Sequence, residues 1–159
     1  MVDLHQVLES TLPASQRVSF VHNDLKLDNC MMDPDDPDRV EAIFDWDMTT
    51  LGDPLIDLGT LLSYWPDPDD PPGATRASHD GMELMGLPGR SELTERYGQV
   101  SGLDMGLIGW YEAFAQWKTV TVVQQLHYRW KVGDSTDPRM ETIAVNIPSL
   151  IDTAESLLS

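Results

Sequence analysis

The chain has a single cysteine and few basic residues, and both shortages limit what it can be. One cysteine, Cys30, excludes an internal disulfide framework and a zinc site built from several cysteines, so we expect a reducing, cytoplasmic location. Ten Lys and Arg residues stand against 27 Asp and Glu residues, which gives a formal charge of −17. Because nucleic-acid binding needs clustered positive charge, we expect no nucleic-acid partner.

Long hydrophobic runs are also missing. No apolar stretch approaches the roughly 20 residues needed to cross a bilayer, and the first ten residues lack the basic and apolar blocks of a secretory signal. We therefore expect no membrane partner. The acidic excess is compatible with a cationic substrate, with a metal ion that bridges to an anionic substrate, or simply with a solvated acidic surface.

The 159 residues are enough for one domain with a real core, and we treat residues 1–159 as a single domain. Strand patterns lie in its first third and helical patterns in the remainder. The predicted strands are residues 18–21, 29–32 and 40–44, and the last two are joined by the turn "DPDDPDR". The expected fold class is α+β and mainly helical, with a small β-hairpin and a helical part over 53–159.

Helix signals stand at both ends of the chain. Residues 2–10 predict a short helix, and Asp53 with Pro54 begins a second helix that runs to residue 65. Further helices are predicted over 91–101, 106–132 and 139–158, the last with a bend at Pro148. The segment "PDPDDPPGAT", residues 66–75, is predicted to be a mobile surface loop.

Residues 22–29 read His-Asn-Asp-Leu-Lys-Leu-Asp-Asn and follow the first predicted strand. They fit the kinase catalytic-loop pattern of His, any residue, Asp, Leu, three residues and Asn. Phosphoryl transfer needs a carboxylate that accepts the hydroxyl proton of the acceptor, and oxygen ligands for magnesium. Asp24 is therefore the predicted catalytic base and Asn29 a predicted Mg²⁺ ligand. Lys26 could stabilise the charge on the transferring phosphoryl group.

A second magnesium ligand is predicted at Asp45, where the apolar strand "AIFD" ends. Asp45 follows Asn29 by the length of one hairpin, as the aspartate of Asp-Phe-Gly does in protein kinases. The order of loop, hairpin and strand-end aspartate predicts a phosphotransferase that uses ATP and Mg²⁺. We place the catalytic loop and the metal-binding hairpin at residues 18–47.

The segment from His22 to Asp57 resembles the carboxy-terminal lobe of the aminoglycoside phosphotransferase and choline kinase-like family, which has a protein-kinase-like fold. It is most similar to the acyl-CoA-dehydrogenase-linked branch, whose signature "HGDxRLDN…DWExxxxGDPxxDLA" reads "HNDLKLDN…DWDMTTLGDPLIDLG" here. The resemblance extends weakly over nearly the whole chain. It implies Asp24 as the base, Asn29 and Asp45 as Mg²⁺ ligands, and His22 and Asp57 as groups that hold the catalytic loop.

Three positions depart from the family pattern. Asn23 replaces a glycine, which is tolerable because asparagine enters the left-handed backbone region more easily than most residues. Lys26 replaces an arginine and keeps the charge without the fork geometry. Asp47 replaces a glutamate, and we expect it to support the metal ligands without touching the ion. We expect these changes to modulate the site.

The short distance from Asp45 to the next helix favours a small-molecule acceptor. Pro54 opens a helix nine residues after Asp45, which leaves no room for the activation loop of a protein kinase. The expected substrate is therefore a small-molecule hydroxyl compound. Aminoglycosides, choline-like alcohols, homoserine and hydroxyacyl-CoA are acceptors in the wider family, and the sequence does not choose among them.

The family's amino-terminal lobe, which has a phosphate-covering loop and a lysine, has no counterpart here. The 21 residues before His22 contain no glycine and no lysine. We therefore expect the nucleotide lobe to be absent from this chain and the isolated chain to have little or no kinase activity. We also expect exposed hinge surface to be covered by association, either in a homodimer or with a separate amino-terminal-lobe chain.

Two alternatives stay open. A pseudokinase-like binding or scaffold module, or a gene remnant, would keep the fold without the chemistry. The stretch "IFDWDMT" also fits the Asp-x-Asp-x-Thr motif of haloacid-dehalogenase-like phosphatases, with "GDPLID" as their late acidic motif. That fold needs several strand–helix units between the two motifs, which this spacing does not provide.

Overall fold

Four short strands precede most of the helices in the computed structural model, which describes residues 2–36, 38–67, 70, 82 and 85–159. The strands are Ser19–Val21 (β1), Cys30–Met32 (β2), Val40–Ile43 (β3) and Thr50–Gly52 (β4). The helices are Val2–Ser10 (α1), Leu55–Ser63 (α2), Arg90–Ser101 (α3), Ile108–Lys131 (α4), Arg139–Thr142 (α5) and Ile147–Leu157 (α6). The expected α+β, mainly helical fold class is confirmed.

The strands form two antiparallel pairs. In the β2–β3 hairpin Cys30 lies opposite Ile43, and the register shifts between Met31 and Met32. In the other pair, β1 lies against β4, with Phe20 opposite Leu51. The predicted hairpin is confirmed, whereas β4 was missed because its three residues, "TLG", are too short to show a strand pattern.

Capping residues explain where α2 begins and where α3 ends. The Asp53 carboxylate accepts the backbone N–H of Leu55 at 2.9 Å, so Asp53 caps α2 as predicted. Helix α3 ends at Gly102, whose φ of 71° lies in the left-handed region that glycine adopts without a steric penalty. These two helix boundaries therefore follow from local chemistry.

The core lies where α2 packs against α4, with α1 and α6 on the flanks of α4. Three leucines of α2 are buried there, at positions 55, 58 and 62, together with Trp110 and Tyr111 of α4. Gly59 allows the close approach of these two helices. A Cβ atom at position 59 would lie 2.5 Å from the carbonyl carbon of Tyr111, nearer than real side chains come.

The carboxy-terminal segment differs from the prediction of a single helix bent at Pro148. Helix α5 has four residues, a 3₁₀ turn occupies Ile143–Asn146, and α6 begins at Ile147. Pro148 lies in the first turn of α6, where its missing N–H costs no hydrogen bond. The proline therefore helps to start a new helix instead of bending an old one.

Two further sequence expectations concern the loop at 66–75 and the absence of a membrane-crossing segment. Of the predicted mobile loop at 66–75, the structure describes only residues 66, 67 and 70, so that expectation lies largely outside the described residues. Among the helices that are described, none is both long and apolar enough to cross a membrane.

Candidate active site

The segment between β1 and β2 is the predicted catalytic loop, and Asp57 holds its start. Asp57 lies in the first turn of α2. Its Oδ2 accepts the backbone N–H of His22 at 2.7 Å, and its Oδ1 accepts that of Asn23 at 2.8 Å. A carboxylate with two well-placed acceptor oxygens suits two adjacent N–H groups. Helix α2 thereby fixes the position at which the loop leaves β1.

His22 joins the loop to the end of β3. Its side chain is 1% exposed. Its Nδ1 accepts the backbone N–H of Asp24 at 3.2 Å, so Nε2 carries the ring proton and donates to the carbonyl of Phe44 at 2.6 Å. The N–H of Phe44 in turn donates to the carbonyl of Asn29 at 2.8 Å. These bonds place Asp45, the next residue in the chain, beside the catalytic loop.

Two residues of the site have a left-handed backbone. Asn23 has φ 67° and Asp45 has φ 62°, and no other non-glycine residue in the described ranges has a positive φ. Asparagine and aspartate tolerate this region better than most residues. The Asn23 side chain also donates to the carbonyl of Met48 at 2.9 Å. Such backbone strain tends to cluster at functional sites.

Asp24 is contacted by two of the other predicted site residues. The Lys26 ammonium lies 3.0 Å from Oδ2 of Asp24. Asn29 donates from Nδ2 to the same Oδ2 at 3.2 Å and to the Asp24 carbonyl at 2.8 Å. Both donors use Oδ2, and within the described part of the chain Oδ1 of Asp24 has no hydrogen-bond partner. The loop therefore brings Asp24, Lys26 and Asn29 into direct contact.

The Lys26 ammonium is held in its charged form. Burial opposes the charge, but the hydrogen bond and negative charge of Asp24 outweigh it, so the pKa of Lys26 is raised above its ordinary value. The ammonium also lies 5.5 Å from the ring centroid of Tyr64, within the range of a cation–π contact. Lys26 thus presents a permanent positive charge beside the Asp24 carboxylate.

The donor atoms at Asn29 and Asp45 fit a magnesium ion. Asn29 uses its Nδ2 toward Asp24, which leaves the amide oxygen for another ligand. The Asp45 carboxylate is exposed and has no hydrogen bond or ion pair with the described residues. Carboxylate and amide oxygens are the ligands that Mg²⁺ takes. Across residues 2–36, 38–67, 70, 82 and 85–159, no group of three His, Cys, Asp or Glu side chains could hold a metal ion. A Mg²⁺ ion at this site would therefore need other oxygen ligands as well, such as the Asn29 amide, water or the substrate phosphates.

Comparisons with known proteins agree with this geometry. A profile described as "Phosphotransferase enzyme family" matches residues 1–93, which is more than half of the chain. The chain belongs to the phosphotransferase enzyme family. The family assignment covers the catalytic loop, both strand pairs and α2.

The chain is also similar to proteins named for another activity. It is 31% identical over 160 residues to acyl-CoA dehydrogenase family member 11 of Rattus norvegicus and 32% identical over 162 residues to that of Mus musculus. Each match covers 99% of this chain and 20% of the relative. The chain therefore spans about one fifth of the length of these relatives.

A solved structure shares the fold of this chain. It is a protein of Ralstonia eutropha assigned as an aminoglycoside phosphotransferase, with a TM-score of 0.79 and 25% sequence identity. The match covers 99% of this chain and 48% of the solved chain. The expected resemblance to aminoglycoside phosphotransferases is confirmed, as is the protein-kinase-like fold.

Asp47 is a predicted site residue that has no observed contact with the others. It lies exposed in the 3₁₀ turn Trp46–Met48, with no hydrogen bond or ion pair to the described residues. Its expected support of the metal ligands therefore has no contact behind it. The other predicted residues lie together around the catalytic loop, either in contact with it or, as with Asp45, next to a residue bonded to it.

Lys118 is a residue of the site that sequence reasoning missed. It lies on α4, and its ammonium donates to the backbone carbonyl of Asn23, 95 residues earlier in the chain. The Thr60 hydroxyl lies 3.4 Å from the same ammonium. No local pattern around Lys118 marks it as a site residue, because one lysine on a long amphipathic helix is ordinary. Only the packing of α4 against α2 brings it to the loop.

Asp53 fixes α2, and therefore Asp57, to the rest of the fold. In addition to capping α2, its carboxylate accepts the N–H of Gln16 at 3.1 Å and the hydroxyl of Tyr111 at 3.1 Å. Burial, followed by the charge and hydrogen bond of Asp53, raises the pKa of Tyr111 to about 12. This carboxylate joins the segment before β1, the start of α2 and the core helix α4.

Proposed function

We propose that this chain is the catalytic lobe of an ATP-dependent kinase, which transfers the γ-phosphoryl group to a hydroxyl of a small molecule. The observation that carries the proposal is the direct contact of Asp24 with Lys26 and Asn29, beside Asp45, in a member of the phosphotransferase family. This set of groups meets the two needs of phosphoryl transfer, an acceptor for the hydroxyl proton and stabilisation of the phosphoryl charge.

Asp24 acts as the base through one particular oxygen. Lys26 and Asn29 both bind Oδ2, and these contacts hold the carboxylate plane in place. Oδ1 is then the atom that accepts the proton of the substrate hydroxyl. Because its partners are already in place, the carboxylate needs no reorganisation when the substrate arrives.

Lys26 and the metal ligands act on the phosphoryl group. The Lys26 ammonium has three N–H donors, so it can bind a phosphoryl oxygen while it stays bound to Oδ2 of Asp24. The Asn29 amide oxygen and the Asp45 carboxylate would hold Mg²⁺. When bound, the ion would neutralise the charge on the phosphates of ATP. His22 and Asp57 touch no reacting group and serve to hold the loop.

The chain path after Asp45 supports a small acceptor. A 3₁₀ turn and β4 occupy the residues between Asp45 and Asp53, and β4 is paired with β1. No stretch in this region can act as a docking loop for a protein substrate. We therefore propose a small molecule with a free hydroxyl as the acceptor.

A second lobe is the proposed partner of this chain. The chain covers 48% of the solved phosphotransferase, and the described part has exposed apolar side chains on its strands, with Phe20 75% exposed and Leu51 65% exposed. A nucleotide-binding lobe, in the same longer protein or on a separate chain, would cover such surface. A homodimer is the alternative, and light scattering at micromolar concentration separates a dimer from a monomer.

The experiment pairs this chain with a nucleotide-binding lobe and follows ADP release over a panel of hydroxyl compounds. The Asp24→Asn variant should lose on the order of 100-fold or more in turnover, the usual contribution of a general base, with its fold unchanged by circular dichroism. Asp134→Asn is the matched control, because this exposed carboxylate lies just after α4 and has no hydrogen bond or ion pair with the described residues. Equal turnover in the wild type and in Asp24→Asn would contradict the proposal.

A pseudokinase-like binding module is the second candidate, and the exposed strand surface is the observation that favours it. The two candidates differ in whether ATP binds. A ligand of the native state raises the melting temperature, so a Mg²⁺-dependent thermal shift with ATP supports the kinase. If the chain paired with a nucleotide-binding lobe shows no shift, with or without the metal, that result supports the scaffold. The phosphatase alternative lacks support, since the described strands pair antiparallel and without alternating helices.

A further inference from the structure

Three backbone groups around Asn23 are hydrogen-bonded, and the partners of two of them have been described above. Asp57 accepts the N–H of Asn23, and His22 accepts the N–H of Asp24 through Nδ1. The third group is the Asn23 carbonyl, which belongs to the same peptide plane as the Asp24 N–H. The Lys118 ammonium is its donor.

The peptide plane before Asp24 is therefore held on both edges. The N–H edge is bound by a ring nitrogen and the C=O edge by an ammonium group. Asn23 itself has a left-handed backbone with φ 67°, a conformation that relaxes unless neighbouring contacts maintain it. Rotation of this plane would turn the Asp24 side chain away from its partners. Both edges of the plane thus control where the base points.

Lys118 occupies a costly position for a side chain with no role. It is half-buried, and within the described ranges its ammonium has no carboxylate at ion-pair distance. Burial lowers the pKa of Lys118, and the positive charge of Lys26 lowers it further. The negative charges of Asp24 and Asp57 raise this pKa, but burial outweighs them. Burying a cation without a direct partner ion costs free energy. A methionine would fill similar space without that cost.

We propose that Lys118 is a positioning residue of this active site: by binding the Asn23 carbonyl from α4, it keeps the Asp24 carboxylate directed toward the acceptor. The inference rests on the proposed function, since it assigns Asp24 the role of the base. It extends the site from the loop and α2 to a helix that begins 84 residues after Asp24.

The first test needs neither a variant nor a substrate. In ¹⁵N-correlated spectra of the wild-type chain, the Lys118 ammonium protons should exchange slowly with water and show a contact to Asn23. The ammonium of Lys131, exposed at the end of the same helix, should exchange fast. Equally fast exchange of both ammonium groups would overturn the proposal.

The second test uses variants of the two lysines. In Lys118→Met the backbone resonances of Asn23 and Asp24 should shift, while those in the core of α4 stay in place. Lys131→Met is the matched control and should leave the loop resonances unchanged. If Lys118→Met does not fold, Lys118→Arg replaces it, and it should keep the carbonyl contact with a smaller shift. Loop resonances that respond no more to Lys118→Met than to the control refute the positioning role.

The third test separates a positioning role from a purely structural one. In the phosphotransfer assay, Lys118→Met should lower kcat on the order of 100-fold, the effect of a misplacement of about 1 Å, with little change in the KM for the acceptor. Lys118→Arg should recover part of kcat. A changed KM with unchanged kcat would contradict the inference. If the wild type shows no turnover at all, the proposed function fails, and the spectra still decide whether Lys118 orients the loop.

Discussion

Because the hydroxyl of Tyr111 is buried, we expect the free energy of unfolding to depend on pH in the alkaline range. Tyr111 is 3% exposed, and its hydroxyl donates to Asp53 at 3.1 Å. Burial and this neighbouring carboxylate raise the pKa of Tyr111 from 10.0 to about 12. In the unfolded chain the hydroxyl is solvated and regains its ordinary pKa.

The sign and size follow from proton linkage. Between pH 10 and about pH 12 the folded chain keeps a proton at Tyr111 that the unfolded chain has lost, so stability falls as the pH rises through this range. The contribution is fully present below pH 10. A shift of two pKa units corresponds to about 2.7 kcal/mol, at about 1.36 kcal/mol for each unit.

The Tyr111→Phe variant removes this dependence. At pH 8 it should be less stable than the wild type by about 1.5–3 kcal/mol, because a hydrogen bond to a charged group is lost. The difference should then shrink toward pH 12, where the wild type loses its advantage. Urea unfolding followed by tryptophan fluorescence, at intervals of half a pH unit from pH 8 to 11.5, measures both free energies of unfolding.

Tyr128→Phe is the control, because this side chain is 65% exposed and its hydroxyl has no hydrogen-bond partner among the described residues. It should follow the wild-type curve at every pH. Parallel curves for Tyr111→Phe and the wild type over the whole range would refute the reasoning. Such curves would show that folding does not raise the pKa of Tyr111 above its ordinary value.

Two further predictions concern the packing and the loop. Gly59→Ala should lower stability by about 1–3 kcal/mol in thermal melts, because its Cβ would meet the backbone of α4 at 2.5 Å. Gly98→Ala is the control and should cost less, because its nearest contact is the Met105 side chain at 3.0 Å and the nearest backbone atom lies 3.7 Å away. Equal losses would contradict this. Asp57→Asn should speed amide hydrogen exchange at residues 22–23, since the amide replaces one of two acceptor oxygens. The control is a variant of an exposed carboxylate, Asp47→Asn. If both variants show the same exchange rates at residues 22–23, Asp57 does not hold the loop.

The sequence contained most of what identifies the site. The spacing of His22, Asp24 and Asn29 predicted one compact loop, and in the structure Asp24 is hydrogen-bonded to both of the others. The strand that ends at Asp45 was also recognisable. These features are local, because hairpin length, capping and strand patterning act over fewer than about ten residues. Short-range features of this kind can be predicted from the sequence alone.

Other features depended on which elements meet. Strand β4 exists because its three residues lie against β1, and the break before α6 is a matter of where the last helices pack. Lys118 reaches Asn23 only because Gly59 lets α4 approach α2 closely. Contacts between residues far apart in the chain are selected by complementary packing, which leaves no periodic signal near either partner. The loop was therefore open to prediction from the sequence, and the contacts that support it were decided by the tertiary structure.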